Sequence, residues 1–264
     1  EYWKAVLMKV LLGSVRVAME NSEHVYTPST RGKYVYDYPA PFVTVDGVVF
    51  GISNACLSIL LILRKEDPYK GCWALPGGFV DDMEESLDDA IRRELVEETH
   101  VENLYLEQLY TMGKPYRDPR GRVISVAYYA LVRSSDFDPR PGSDAAEAQW
   151  FSIKDLPSNL AFDHSEIIQM GLNRIRGKIS YQPIGFSLLP QTFTISELQT
   201  VYELILDRPI DKRNFRRKIS SLNILQQVDA KENRLPQQSW PAQLYKFDTE
   251  AYNRLMESGF NSFI

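Results

Sequence analysis

The chain has 264 residues, more than one ordinary domain needs, so two domains are expected. With 44% hydrophobic and 25% charged residues it has the make-up of a globular protein with a sizeable core, which excludes a fibrous or low-complexity chain. A formal net charge of −5 argues neither for nucleic acid nor against it. The two cysteines, in no CxxC spacing, argue against a disulfide framework or zinc site and for a reducing, cytoplasmic setting.

Residues 1–40 read as an N-terminal extension. In AVLMKVLLGSVRVAM the residues Trp3, Val6, Leu7, Val10 and Leu11 share a helical face, so a packing or partner-contact helix is expected. Lys9 and Arg16 interrupt the run and no small-x-small site follows, which speaks against a signal peptide, and no run reaches a membrane span.

The next segment, 41–180, alternates strands and helices. FVTVDGVVFGI (42–52) and CLSILLILRK (56–65) read as strands joined by a short turn, and Trp73–Leu75 as a short third strand stopped by Pro76-Gly77-Gly78. An acidic helix follows, then strands at 105–112, 123–132 and 148–153 and a helix over 163–178. That order predicts an α+β domain, a mixed sheet between helical layers. Tyr128 and Tyr129 alternate across a strand, so one of them is expected in the core.

The acidic helix carries the chemistry. The stretch GGFVDDMEESLDDAIRRELVEET has an apolar stripe at Leu87, Ile91 and Leu95, yet Glu94, Glu97 and Glu98 crowd the end where the macrodipole is already negative. Glu94 faces both Glu97 and Glu98, each pair costing roughly 0.2–0.5 kcal/mol, and a bound cation would relieve that repulsion. Hard carboxylate oxygens on one turn suit Mg2+ (or Mn2+) rather than zinc. The competing reading is a solvated acidic face.

This stretch resembles the signature of the Nudix hydrolases, with Gly78 as its glycine, Glu85 as its leading glutamate and Arg93, Glu94, Glu97 and Glu98 as its Arg-Glu-x-x-Glu-Glu core. The resemblance implies a Nudix-type α/β/α sandwich and metal-dependent hydrolysis of a nucleoside diphosphate derivative. It assigns the metal to Gly78, Glu94, Glu97 and Glu98, with Arg93 orienting the glutamates. Two departures stand out. The gap from Gly78 to Glu85 is one residue longer than usual, so Glu84 competes with Glu85, though register from Arg93 favours Glu85. His100 replaces the glycine that closes the helix, at a position that needs a positive φ.

The stretch Tyr116-Arg-Asp-Pro-Arg-Gly-Arg resembles that of Nudix proteins handling ADP-ribose, which makes ADP-ribose the leading substrate. Arg64, Arg117, Arg120 and Arg122 are the candidate ligand-binding residues, suited to phosphate or ribose by their fork geometry. Glu147, before Trp150-Phe151, is the candidate general base, or else a strand terminus. His164, in Phe162-Asp-His, reads as structural.

Residues 181–264 differ in kind. SYQPIGFSLLPQ (180–191) reads as a linker, Thr194-Ile-Ser-Glu197 as a capping box opening a helix, and DKRNFRRKISSLNI as a second helix after the turn DRPI. Strands LQQV and QLYKF flank a polar loop, the order of a winged helix-turn-helix. In the second helix Phe215, Ile219 and Leu222 should pack inward, leaving Lys212, Arg213, Arg216, Arg217 and Lys218 as a basic face for double-stranded DNA. A charged solvent face is the plainer reading.

Linker and tail together resemble the C-terminal part of Nudix-related bacterial transcriptional regulators, which implies a sensor, often a homodimer, whose nucleotide is an effector. Because all three glutamates are kept, hydrolysis leads and ligand-controlled transcription regulation with little or no catalysis is the alternative.

Overall fold

β1 (Phe42–Ser53) and β2 (Cys56–Arg64) form a hairpin whose two turn residues, Asn54 and Ala55, both have positive φ, the turn that matches strand twist. The two strands pair only from Phe50–Ser53 to Cys56–Ile59 and then diverge. Into the gap come β3 (Trp73–Ala74), paired with β2, and β4 (Gly77–Phe79), paired with β1. The sequence places a stop at Pro76-Gly77-Gly78 with the acidic helix after it. Gly77–Phe79 is instead a strand, and α1 begins at Leu87 and ends at Thr99.

This computed structural model describes residues 40–80, 84–100, 105–134, 145–228 and 242–258; the expected N-terminal helix and the polar loop between the last two strands lie outside them. Chain contacts divide at Ala40 and Pro41, and residues 41–264 form one unit.

β5 (Tyr105–Met112), β6 (Val123–Leu131) and β7 (Ala145–Ser152) complete the sheet. β6 runs parallel to β1 while β5 and β7 pair antiparallel to β6 and β2, so the sheet is mixed. On one face Ile91 and Leu95 of α1 pack on Val45, Val49, Leu60 and Val126. On the other, Ile167, Ile168, Leu172 and Ile175 of α2 (His164–Lys178) pack on Val48, Phe50, Ile59 and Leu61. With helices on both faces, Tyr128 and Tyr129 are both buried, at 2% and 0% exposure, where one had been expected in the core. Each points into a covered face.

After a 3-10 turn at Ile184–Leu188 come α3 (Ile195–Leu206) and α4 (Lys212–Ser221). The capping box is complete: Thr194 Oγ1 accepts from Glu197 N–H, and the Glu197 carboxylate accepts from Thr194 N–H. β8 (Leu225–Val228) and β9 (Leu244–Phe247) form the wing. A further helix, α5 (Thr249–Glu257), which the sequence reading did not include, follows Asp248 as N-cap.

The two domains share one apolar core, since Leu198, Val201, Tyr202 and Ile205 of α3 and Phe215 and Ile219 of α4 belong to the same buried cluster as α2. Polar contacts follow the same seam. Arg176 Nε, near the end of α2, donates to the Ile205 carbonyl at 3.0 Å, and Lys154 Nζ lies 2.6 Å from Asp207 Oδ1 in the turn after α3. Among the described residues no helix is long and apolar enough to cross a membrane.

Candidate functional site: a cavity between diverging strands

Where β1 and β2 part, a cavity of about 280 Å³ opens. It is lined by Thr44 and Asp46 of β1, Ile62 and Arg64 of β2, Gly77 to Phe79, Glu94 and Glu98 of α1, the Arg117–Arg120 loop, and Phe162 and His164 at the start of α2.

Helix α1 is fixed against this cavity by its own charges. Glu85, the residue that register from Arg93 favours, grips Arg93 in a bidentate pair, Nε to Oε1 at 2.8 Å and Nη2 to Oε2 at 3.0 Å. Arg93 Nη1 also reaches Glu94 Oε1 at 2.7 Å and Glu97 Oε2 at 3.4 Å, and Nη2 donates to the Phe79 carbonyl at 3.2 Å. These carboxylates hold the guanidinium firmly protonated, chiefly through the Glu85 bonds and against some burial. Arg93 thus offsets much of the repulsion that the sequence raises. At the helix end His100 takes the left-handed conformation, φ 60°, with its N–H bonded to Val96 O, so the substituted residue still closes the helix.

Glu94 and Glu98, one turn apart, are buried on the inward face, which excludes a wholly solvated acidic face. Glu98 Oε2 accepts the Gly77 N–H at 2.8 Å, and a Cβ on Gly78 would stand 2.3 Å from Glu94 Oε1. Only glycine lets the backbone approach this carboxylate so closely. Glu97 points outward, its side chain 53% exposed, and does not line the cavity.

Among the described residues no three carboxylate, imidazole or thiol groups converge as a closed cage. The donors present, Glu94, Glu98 and the backbone at Gly78, fit a hard divalent ion of the magnesium type. Such an ion binds through one or two carboxylates and completes its shell with water and phosphate oxygens.

The arginines separate by commitment. Arg117, its side chain 4% exposed, makes a bidentate pair with Asp163 at 2.9 and 2.6 Å and lies 3.7 Å from Asp46. Burial opposes its charge, but Asp163 and Asp46 outweigh that. Asp163 is the N-cap residue of α2 yet makes no side-chain cap bond, its carboxylate being spent on Arg117. Arg120 pairs with Asp118 and stacks over the rings of Phe79 and Phe162, 4.7 and 5.6 Å from their centroids. Arg64 donates through Nε to the Pro68 carbonyl at 2.9 Å and lies over Phe162. Burial, with repulsion from Arg120, pushes its pKa down against the pull of Glu98, Asp118 and Asp46.

Arg122 and Glu147 are not brought in. Arg122 is exposed outside the cavity, its carbonyl bonded to Phe42 N–H. Glu147 is exposed on β7 opposite Leu63, one position out of phase with Ala148, which pairs with the cavity residue Ile62, so it faces away from the cavity. Sequence reasoning passed over Asp46, Asp118, Phe79, Phe162 and Asp163. A visible signal existed for Asp46, a lone acid within the apolar strand FVTVDGVVFGI.

On α4, Phe215 and Ile219 are buried and Leu222 closes the same core, while Lys212, Arg213, Arg216 and Arg217 are exposed and Lys218 half-buried. Asp211 caps the helix, accepting from Asn214 N–H at 2.8 Å.

Comparison with known proteins places both parts. Residues 41–170 match the NUDIX domain and residues 185–247 the NrtR DNA-binding winged helix domain. The ADPR responsive transcriptional repressor NtrR of Acinetobacter baylyi is 36% identical over 219 residues, covering 82% of this chain and 86% of that protein. The crystal structure of Shewanella oneidensis NrtR complexed with a 27mer DNA superposes with a TM-score of 0.67 at 34% identity, covering 80% of this chain and 95% of that one. The ADP-ribose pyrophosphatase of Methanocaldococcus jannaschii is 42% identical over 132 residues, 50% of this chain and 73% of that protein. The chain therefore belongs to the NrtR family, in which a Nudix domain is joined to a DNA-binding winged helix.

Proposed function

We propose that the protein is a DNA-binding transcription regulator whose Nudix cavity takes a nucleoside diphosphate sugar, ADP-ribose first, as effector. One observation carries this reading. The first residue of α2, His164, lines the cavity, and its last turn holds the winged helix through the Arg176 bond to Ile205. One helix thus touches the cavity at its start and the winged helix at its end, with the basic α4 packed on the same core, which a free-standing hydrolase has no need of. In the cavity Arg64, with no partner for its Nη groups among the described residues, is the arginine available to a diphosphate. The relatives agree, since one is named as responsive to ADPR and another was crystallised on DNA. The exposed basic face of α4 supplies the groove-reading and phosphate-contacting groups.

Hydrolysis is a second reading, favoured by Glu94 and Glu98 facing the cavity and by the identity to an ADP-ribose pyrophosphatase. A divalent ion, magnesium first, would neutralise the diphosphate and acidify a water there. Glu94 and Glu98 would hold it, Arg93 would keep Glu94 in place, and Arg64 would orient the phosphates. With Glu97 outside and Glu147 facing away, the candidate bases are fewer than the sequence offered, so turnover slower than effector exchange is expected.

The test measures duplex affinity with and without ADP-ribose, alongside AMP release in magnesium. A change in DNA affinity that AMP plus ribose 5-phosphate does not reproduce supports the regulator. AMP release with DNA affinity indifferent to ADP-ribose supports the enzyme alone.

A further inference from the structure

His164 is more than a core histidine. Its ring is buried, 3% exposed, and Nδ1 accepts the Leu75 N–H at 2.8 Å. A nitrogen that accepts a backbone N–H bears no proton, so the neutral ring carries its proton on Nε2. Burial keeps it neutral, overriding the nearby acids.

Nε2–H has no hydrogen-bond partner among the described residues. Asp46 Oδ1 lies 3.6 Å from it, beyond hydrogen-bond reach. Asp46 is itself buried, and its other oxygen, Oδ2, accepts from Ser125 Oγ and lies near Arg117. Both residues line the cavity. The cavity wall therefore presents one fixed donor and one fixed carboxylate acceptor side by side, each held by bonds on its far side.

Such a pair complements a group that accepts and donates at once. A phosphate oxygen would meet the Asp46 carboxylate with like charge, and an apolar surface would leave both groups unsatisfied. We infer that His164 and Asp46 together read a sugar hydroxyl of the ligand, His164 Nε2–H donating to the hydroxyl oxygen and Asp46 Oδ1 accepting its proton. The inference rests on the proposed nucleoside diphosphate sugar and names the residues that select it. A site built to bond a hydroxyl discriminates strongly against a ligand lacking it, because its buried groups are then left unpaired.

The test uses His164→Asn, whose amide oxygen can still accept Leu75 N–H while the Nε2 donor is lost, and Asp46→Asn, which keeps an acceptor for Ser125. Calorimetry with ADP-ribose and with ADP, in magnesium, compares wild type and variants, and thermal unfolding checks the fold. The expected result is a loss of ADP-ribose affinity of about tenfold or more in each variant. ADP affinity unchanged assigns the hydroxyl to the distal ribose, and an equal loss assigns it to the adenosine ribose. Variants that bind both ligands as wild type does overturn the hydroxyl reader alone. Wild-type protein that binds neither ligand overturns the effector reading and this one with it. Should either variant unfold, ¹⁵N-histidine spectra of the wild type decide. A shifted Nε2–H resonance of His164 on adding ADP-ribose supports the inference, and an unshifted one in a saturated complex overturns it.

Discussion

Neighbouring glycines at the cavity should fail in opposite ways when replaced by alanine. A Cβ on Gly77 meets Val45 O at 2.1 Å and Asp46 Cα at 2.9 Å, and Gly77 has φ +154°. Those are backbone atoms of a paired strand, so relief requires β1 and β4 to part by about 1 Å, and the expected loss is about 3 kcal/mol or more. For a unit of this size that lowers Tm by about 6–12 °C. A Cβ on Gly78 instead meets the end of the Glu94 side chain, Oε1 at 2.3 Å and Oε2 at 2.7 Å, and the carboxylate can swing away. The fold should hardly notice, since Gly→Ala also removes unfolded-chain freedom worth about 0.4–1 kcal/mol. The ion site should notice, because Glu94 leaves both Arg93 and the cavity, and magnesium-dependent ligand affinity should fall about 10–100-fold. Thermal unfolding beside calorimetry with ADP-ribose and magnesium reads both. Gly78→Ala binding as wild type would show that Glu94 holds nothing, and Gly77→Ala as stable as wild type would refute the packing argument.

Other substitutions test other links. Arg176→Ala removes the bond from α2 to Ile205 O but leaves the shared apolar core, so ADP-ribose and DNA should each still bind while their coupling weakens, read by titrating ligand with and without duplex. Arg216→Ala and Arg217→Ala should each weaken duplex binding and lower the log–log salt slope by about 1, measured by anisotropy over a salt series. Glu107 carries the pH prediction. Burial would raise its pKa, but hydrogen bonds from Lys178 and Tyr105 more than offset that and hold it down. A depressed carboxylate stabilises the fold above its unfolded pKa and loses that contribution as pH falls through the folded value. Glu107→Gln should therefore flatten the fall of Tm on the acid side of about pH 4.3 and leave its slope near neutrality unchanged.

Much of this molecule was readable because its signals are local. The turn at Asn54-Ala55, the capping box at Thr194 and the inward triplet of Phe215, Ile219 and Leu222 depend on residues a few positions apart. The Nudix signature is equally local: of its residues Gly78, Glu94 and Glu98 line the cavity, and Arg93 bonds Glu94 beside it. What escaped depends on register and long-range pairing. Glu97 sits one position from Glu98, yet that rotation turns it to solvent. Glu147 falls just before the expected strand 148–153; the strand in fact starts at Ala145, and only its pairing with Leu63 shows which way Glu147 faces. Asp163 looks like an ordinary helix cap until Arg117, 46 residues earlier, takes its carboxylate. His164 reads as a structural core residue because nothing nearby in sequence reveals Leu75 N–H, 89 positions away, or Asp46.

The central claim is that occupancy of the Nudix cavity alters the grip of the basic helix on DNA. The most direct measurement is a fluorescence anisotropy titration of a labelled duplex, first selected on the wild-type protein from a random pool. It is run with and without saturating ADP-ribose in magnesium. A shift of about fivefold or more in Kd, smaller in Arg176→Ala, is the result predicted. Superimposable isotherms from protein that calorimetry shows to be saturated with ADP-ribose would contradict it.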